Sequence, residues 1–148
     1  MKIQIFFVGI IILPTIGCGE KDTTDENEPS TETESFECPS EWVSEGNIWL
    51  DPGLCIAWSE RSDTLNWDEA KEHCSGLSAG EFTGWRLPTS AELTDLSVRN
   101  HPLTLTEGDL WSSTLDQIGL VETVNLEQPG MTILLDKSAE AYTYCVFP

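Results

Sequence analysis

Gly84-Trp85-Arg86-Leu87-Pro88-Thr89-Ser90-Ala91-Glu92-Leu93 decides how this chain is read. Thr89 and Glu92 have the S/T-x-x-E spacing of a capping box. The threonine oxygen takes the N–H of the third helical residue, and the glutamate reaches back to the threonine's own N–H. Pro88 steers the residue before it away from helical backbone, so the helix starts after it. Leu93 and Leu96 give that helix an apolar face. Asn100-His101-Pro102 halts it, which predicts a helix from Ser90 to about Arg99. Arg86, flanked by Trp85 and Leu87, is expected to bury its stem and pair with an acid such as Glu92. The alternative is that it grips a carboxylate or sulfate on a ligand.

Working outward, a second helix is written upstream. Asn66 is its N-cap with Glu69 three residues on, and Asp68, Glu69 and Glu72 lie toward its positive end. Trp67, Ala70, Cys74 and Leu77 share one face, and Gly76 is placed to end the helix. Ile48-Trp49-Leu50 and Leu54-Cys55-Ile56-Ala57-Trp58 read as short strands parted by an Asp51-Pro52-Gly53 turn. Further strands are predicted at Leu110 to Thr114, Leu120 to Leu126, Met131 to Leu135 and Ala141 to Phe147, with no internal repeat. Trp67, Trp85 and Trp111 are expected to point inward. Trp42, Trp49 and Trp58 belong to the N-terminal hairpin, where a ligand-facing role is the alternative to packing.

The chain has 148 residues, enough for one domain with tails. Met1-Lys2 followed by an apolar run from Ile3 to Ile16 has the layout of a secretory signal, and the run is shorter than the ~20 residues of a spanning helix. Thr15-Ile16-Gly17-Cys18 resembles a bacterial lipobox. Residues 1–17 are therefore expected to be a lipoprotein signal peptide, with Cys18 lipidated and exported to the outer membrane or cell surface. Residues 18–35 are rich in Glu, Asp, Thr and Ser without a large apolar side chain, as in a disordered acidic tether. The domain is placed at 36–148, where aromatic and aliphatic residues become regular.

A formal net charge of −19 argues against nucleic acid and anionic lipid headgroups as partners. Beyond Cys18 the cysteines are Cys38, Cys55, Cys74 and Cys145, an even set that suggests two disulfides with three connectivities open. Zinc is not indicated: no C-x-x-C pair occurs, and His73 and His101 lack ligand spacing.

The order of landmarks then becomes informative. Cys38-Pro39 precedes Gly53-Leu54-Cys55-Ile56-Ala57-Trp58; Trp67-Asp68-Glu69-Ala70-Lys71-Glu72-His73-Cys74 precedes Gly84-Trp85-Arg86-Leu87-Pro88; Leu110-Trp111-Ser112-Ser113 and Tyr144-Cys145-Val146 complete the set. Across residues 36–148 this resembles the Lcl C-terminal domain family, a bacterial branch of the C-type lectin-like fold. Trp67, Ala70, Trp85, Arg86, Leu87, Pro88, Glu92, Trp111 and Ser112 are the matching motif positions, read as structural. The resemblance implies an α+β fold, two helices packed on short antiparallel sheets. It also implies two disulfides, Cys38–Cys55 closing an N-terminal hairpin and Cys74–Cys145 joining the first helix to the last strand. The chain-entropy model puts about 4 kcal/mol on the longer loop and about 3 on the shorter.

The fold's usual sugar chemistry is not carried over with it. Sugar-binding C-type lectins hold calcium through a Glu/Gln-Pro-Asn/Asp segment and a Trp-Asn-Asp segment. Here Gln128-Pro129-Gly130 lacks the needed side-chain oxygen, reads equally as a type II turn, and no Trp-Asn-Asp follows. A different calcium site among Glu107, Asp109, Asp116 and Glu122 is the alternative, but these acids are scattered, so no cofactor is expected and calcium has no supporting motif. Lcl domains suggest adhesion to sulfated polysaccharide, which the charge disfavours. The domain's cations are only Arg61, Lys71, Arg86, Arg99 and Lys137. Arg86 to Thr89 with Glu92 also resembles formylglycine-generating enzymes, which are larger and use a reactive cysteine pair. No catalytic residues are assigned, since neither His73 nor His101 has a visible nucleophile. The expectation is a non-catalytic envelope lipoprotein that recognises a protein or glycan through loops between Asn100 and Gln128, an adhesion or binding module. A structural role packed on another envelope protein is the alternative.

Overall fold

The computed structural model describes residues 37–79, 82–104 and 108–148. The expected signal peptide, Cys18, the tether, Phe36 and Glu107 lie outside the described residues. Nine elements follow in order: β1 (Val43–Glu45), β2 (Ile48–Asp51), β3 (Ile56–Ser59), α1 (Trp67–Gly76), α2 (Ser90–Val98), β4 (Leu110–Leu115), β5 (Val121–Val124), β6 (Thr132–Leu135) and β7 (Val146–Phe147). They form two antiparallel sheets, ordered β1-β2-β3-β7 and β4-β5-β6. Among the described residues no helix is long and apolar enough to cross a membrane.

β2 and β3 are nearly continuous apolar runs because both faces of their sheet are covered. Period-two alternation sends Ile48, Leu50 and Ala57 to one core, with Trp67, Ala70 and Cys74 of α1. It sends Ile56 and Trp58 to a second core, with Leu93 and Leu96 of α2. The second sheet serves both, through Trp111 and Val121 in the first and Leu110 and Val124 in the second. This is the α+β arrangement expected of a C-type lectin-like domain: two helices on short antiparallel sheets, with the first helix bridged to the C-terminal segment.

The helices start where the sequence places them. Asn66 Oδ1 accepts from Glu69 N at 3.1 Å while Glu69 Oε2 accepts from Asn66 N at 3.2 Å. Thr89 and Glu92 make the same reciprocal pair. α1 ends at the expected glycine, though without the left-handed cap that glycine commonly supplies. Gly76 is its last residue, and the cap is Leu77 in extended backbone, so no left-handed glycine closes the helix.

Three strand boundaries differ from expectation. β1 was not anticipated, since Val43-Ser44-Glu45 carries little apolar signal; the two-residue turn Gly46-Asn47, with Gly46 at φ +61, folds it onto β2. Leu54 and Cys55 belong to a turn rather than to β3. Asp51 organises that turn: its carbonyl accepts from Cys55 N at 2.9 Å and its carboxylate from Gly53 N at 2.7 Å. Lastly, only Val146–Phe147 of the predicted Ala141–Phe147 strand lies in a ladder. The rest pairs piecemeal with segments of different origin. Ala141 exchanges bonds with Leu65, Tyr142 bonds to Asp109 and Trp111, Thr143 O accepts from Ser62 N, and Cys145 O accepts from Ser59 N.

Of the two expected disulfides, Cys74–Cys145 is formed and spans 71 residues. Cys38–Cys55 is not closed. Both are free thiols; Cys38 Sγ donates to Pro52 O at 3.7 Å, and the neighbouring Cys55 thiol pushes the Cys38 thiol up from its ordinary pKa. Replacing Cys74 and Cys145 together by Ala is expected to lower unfolding stability by up to about 4 kcal/mol, from the entropy returned to the unfolded chain. Urea denaturation checks it, and an unchanged midpoint contradicts it. Mild oxidation is expected to consume the Cys38 and Cys55 thiols together, as peptide mapping would show.

Candidate functional site

The Arg86 guanidinium and the Glu92 carboxylate meet as a fork, Nη1 to Oε2 at 2.9 Å and Nη2 to Oε1 at 2.7 Å. Glu92 therefore has two tasks, capping α2 through Thr89 N and holding Arg86 over the turn that precedes it. Burial pushes the Glu92 carboxyl up, but the bonds from Arg86 and Thr89 outweigh it and hold it below its ordinary value. The other motif positions are framework. Ala70, Trp85, Leu87 and Trp111 are buried. Trp67 Nε1 donates to Ser112 O at 2.8 Å, and Trp111 Nε1 donates to Leu65 O at 2.7 Å. Pro88 O accepts from Ser113 N at 2.7 Å, which ties the Trp-Arg-Leu-Pro run to β4. Ser112 Oγ donates to Glu122 O inside the second sheet.

A second ion pair was not foreseen from the sequence. Arg99 donates two 2.8 Å bonds to Asp51, whose side chain is fully buried, and its Nε meets Asp95 at 2.6 Å. Trp58 Nε1 adds a bond to Asp51 Oδ2 at 3.1 Å. Burial again raises the carboxyl's pKa, and the bonds from Arg99, Gly53, Trp58 and Leu54 more than reverse it. The aspartate of an Asp-Pro-Gly turn carries only a local turn signal. Its partner, 48 residues away, is set by tertiary packing.

The hairpin tryptophans divide by role. Trp58 is fully buried and presents no ligand face. Trp42 is half-buried, with Nε1 bonded to Asn100 O and its ring near Arg99. Trp49 is half-buried too and lines a cavity of about 280 Å³ with Arg61, Leu103, Thr104 and Tyr144. Burial pushes the Tyr144 phenol up to about 12, and its hydroxyl donates to Thr104 O at 2.9 Å.

A larger cleft of about 850 Å³ lies between the β1–β2 turn, the segment Ser59 to Ser62 and the C-terminal end of α1. Ile48, Leu77, Ala79 and Phe82 supply its apolar wall, and Glu45, Glu60, Arg61 and His73 its ionisable groups. Arg61 lines both cavities. Its guanidinium lies over the Tyr142 ring, 4.0 Å from the centroid. Most of the stretch from Asn100 to Gln128 is occupied by β4, β5 and their connection. Among its described residues, only Leu103 and Thr104 line either cavity.

The scattered acids are used locally. Asp116 Oδ1 accepts from Ile118 N and Leu120 N in the β4–β5 turn, and Glu122 accepts from Ser90 Oγ. Asn125 Nδ2 donates to Asp109. Among the described residues no three His, Cys, Asp or Glu side chains gather as a metal site. Gln128-Pro129-Gly130-Met131 is a turn closed by Met131 N to Gln128 O at 2.9 Å, with Gly130 at φ +77.

No family model matches the chain, and no curated protein matches it. Among solved structures, botrocetin, a C-type lectin-like snake protein, is similar at 14% identity and a TM-score of 0.45. That similarity covers 75% of this chain and 98% of botrocetin.

The two depressed carboxyls set an acid limit. Each contributes stability that is complete above its unfolded pKa, about 3.9 for Asp and 4.3 for Glu. That contribution is lost as pH falls through the lower folded value. Denaturant midpoints are expected to decline below about pH 4, and Asp51→Ala to cost about 1–3 kcal/mol at neutral pH by leaving the Gly53, Leu54 and Trp58 N–H donors without their acceptor while Arg99 keeps Asp95. A variant as stable as the parent at pH 7 contradicts the second expectation.

Proposed function

We propose that the chain is an exported, lipid-anchored bacterial envelope protein whose Lcl-like domain is a non-catalytic recognition or adhesion module. In this reading Cys18 carries the lipid, residues 18–35 hold the domain off the membrane, and the domain binds a protein or glycan without a calcium site. The supporting observation is the cleft of about 850 Å³, which combines an apolar wall with a few polar groups, the composition of a binding site. Two of its serine hydroxyls are bonded to backbone carbonyls. Ser59 Oγ donates to Glu60 O and Ser62 Oγ to Asp63 O, so neither is directed at a base.

An assembly role is the second reading. It is favoured by Val98, Leu115, Ile118, Met131 and Leu134, large apolar side chains left exposed, Ile118 at 81%.

A glycan array of the membrane-extracted chain, run with calcium and with EDTA, separates these. Hits unaffected by EDTA and lost in Asn47→Trp, which narrows the cleft from its exposed turn, are expected for recognition. Calcium-dependent hits contradict the metal-free reading. A blank array with one stoichiometric partner in crosslinked envelopes favours assembly. Intact mass of the same preparation tests the anchor, with a lipid-modified N-terminus at Cys18 expected.

A further inference from the structure

We infer that Arg61 is the anchor for a single carboxylate on the ligand of the larger cleft, the rest of that ligand being uncharged and partly apolar. This rests on the cleft being the binding site.

The domain's five cations are satisfied very unequally. Arg86 has Glu92, Arg99 has Asp51 and Asp95, and Lys71 approaches Asp68 at 3.8 Å. Lys137 lies 4.5 Å from the centroid of Trp67. Arg61 has no carboxylate within 4.0 Å among the described residues, and its Nη1 is buried without an acceptor. Acids are not scarce in a chain with 26 of them, and Glu60 is its direct neighbour. An unpaired buried guanidinium donor is costly, so its persistence needs a reason.

Position distinguishes Arg61 from the other orphaned atoms. His101 Nδ1 and Thr143 Oγ1 are also buried without a partner, but neither residue lines the larger cleft or the smaller cavity. Arg61 lines both; its guanidinium carbon lies over the Tyr142 ring, 4.0 Å from the centroid, and a guanidinium carries its N–H donors along a planar edge. That planar edge matches the two oxygens of a carboxylate.

The surroundings limit the ligand to one charge. Glu45 and Glu60 line the same cleft, and a chain of net charge −19 repels a polyanion. Ile48, Leu77, Ala79 and Phe82 offer the uncharged part of the ligand an apolar wall.

Matched probes test this on the full chain by calorimetry and by NMR shifts of cleft residues: N-acetylleucine against its amide, and glucuronic acid against glucose. The first pair represents a peptide-like carboxylate and the second an acidic sugar. In at least one pair the acid is expected to bind about ten-fold tighter than its neutral counterpart, less so as salt rises. Arg61→Gln should bring the acid-to-neutral affinity ratio to about one, and Arg61→Lys, which keeps charge but not the fork, should retain part of the preference. Equal binding of acid and neutral probe, or a preference that survives Arg61→Gln, overturns the carboxylate anchor alone. Absence of saturable binding by every probe overturns the cleft reading with it.

Discussion

The segment from Ala141 to Phe147 is the constraint on which the rest of the domain depends. Its backbone bonds reach Leu65, Asp109, Trp111, Ser62, Ser59 and Arg86, which belong to separate stretches of chain. Its side chains alternate between the two cores, Ala141 and Cys145 on one side and Tyr144 and Val146 on the other. Cys74–Cys145 then fixes α1 to this segment covalently. A segment placed centrally joins regions far apart in sequence, so ordering it orders both cores.

Two guanidinium–carboxylate pairs do the corresponding work on the α2 side. Arg86–Glu92 joins the Trp-Arg-Leu-Pro turn to the start of α2, and Arg99–Asp51 joins its end to the N-terminal hairpin. The approach at the second pair is close enough that a side chain on Gly53 would meet the Arg99 guanidinium, which explains glycine in that turn. Each carboxylate also accepts backbone N–H bonds, so its burial is compensated by more than the ion pair. In a strongly acidic chain, two of the few arginines are committed to architecture.

That commitment gives the remaining charges their meaning. Arg61 stands at the wall shared by two cavities, against an aromatic ring and, among the described residues, without a carboxylate within 4.0 Å. The acids lining the same cleft are Glu45 and Glu60, while Asp51 and Glu92 are occupied by arginines and Asp116 by the β4–β5 turn. A cation kept apart in this way suits selective recognition of one charge better than adhesion to a polyanion.

Local chemistry made much of the fold legible. The two capping boxes, the inward faces of Trp67, Ala70, Cys74, Leu93 and Leu96, and the Pro129-Gly130 turn all depend on neighbours within a few residues, which periodicity and spacing report directly. The turn at Leu54-Cys55 is closed locally by Asp51, whereas the boundary along Ala141–Phe147 is set by partners elsewhere in the chain. The Asp51–Arg99 pair, the open Cys38 and Cys55 thiols and the cleft around Arg61 were decided by tertiary structure alone. A sequence shows that a residue carries charge or a thiol. Only packing determines how far it stands from its counterpart, and whether burial leaves it paired or waiting for a ligand.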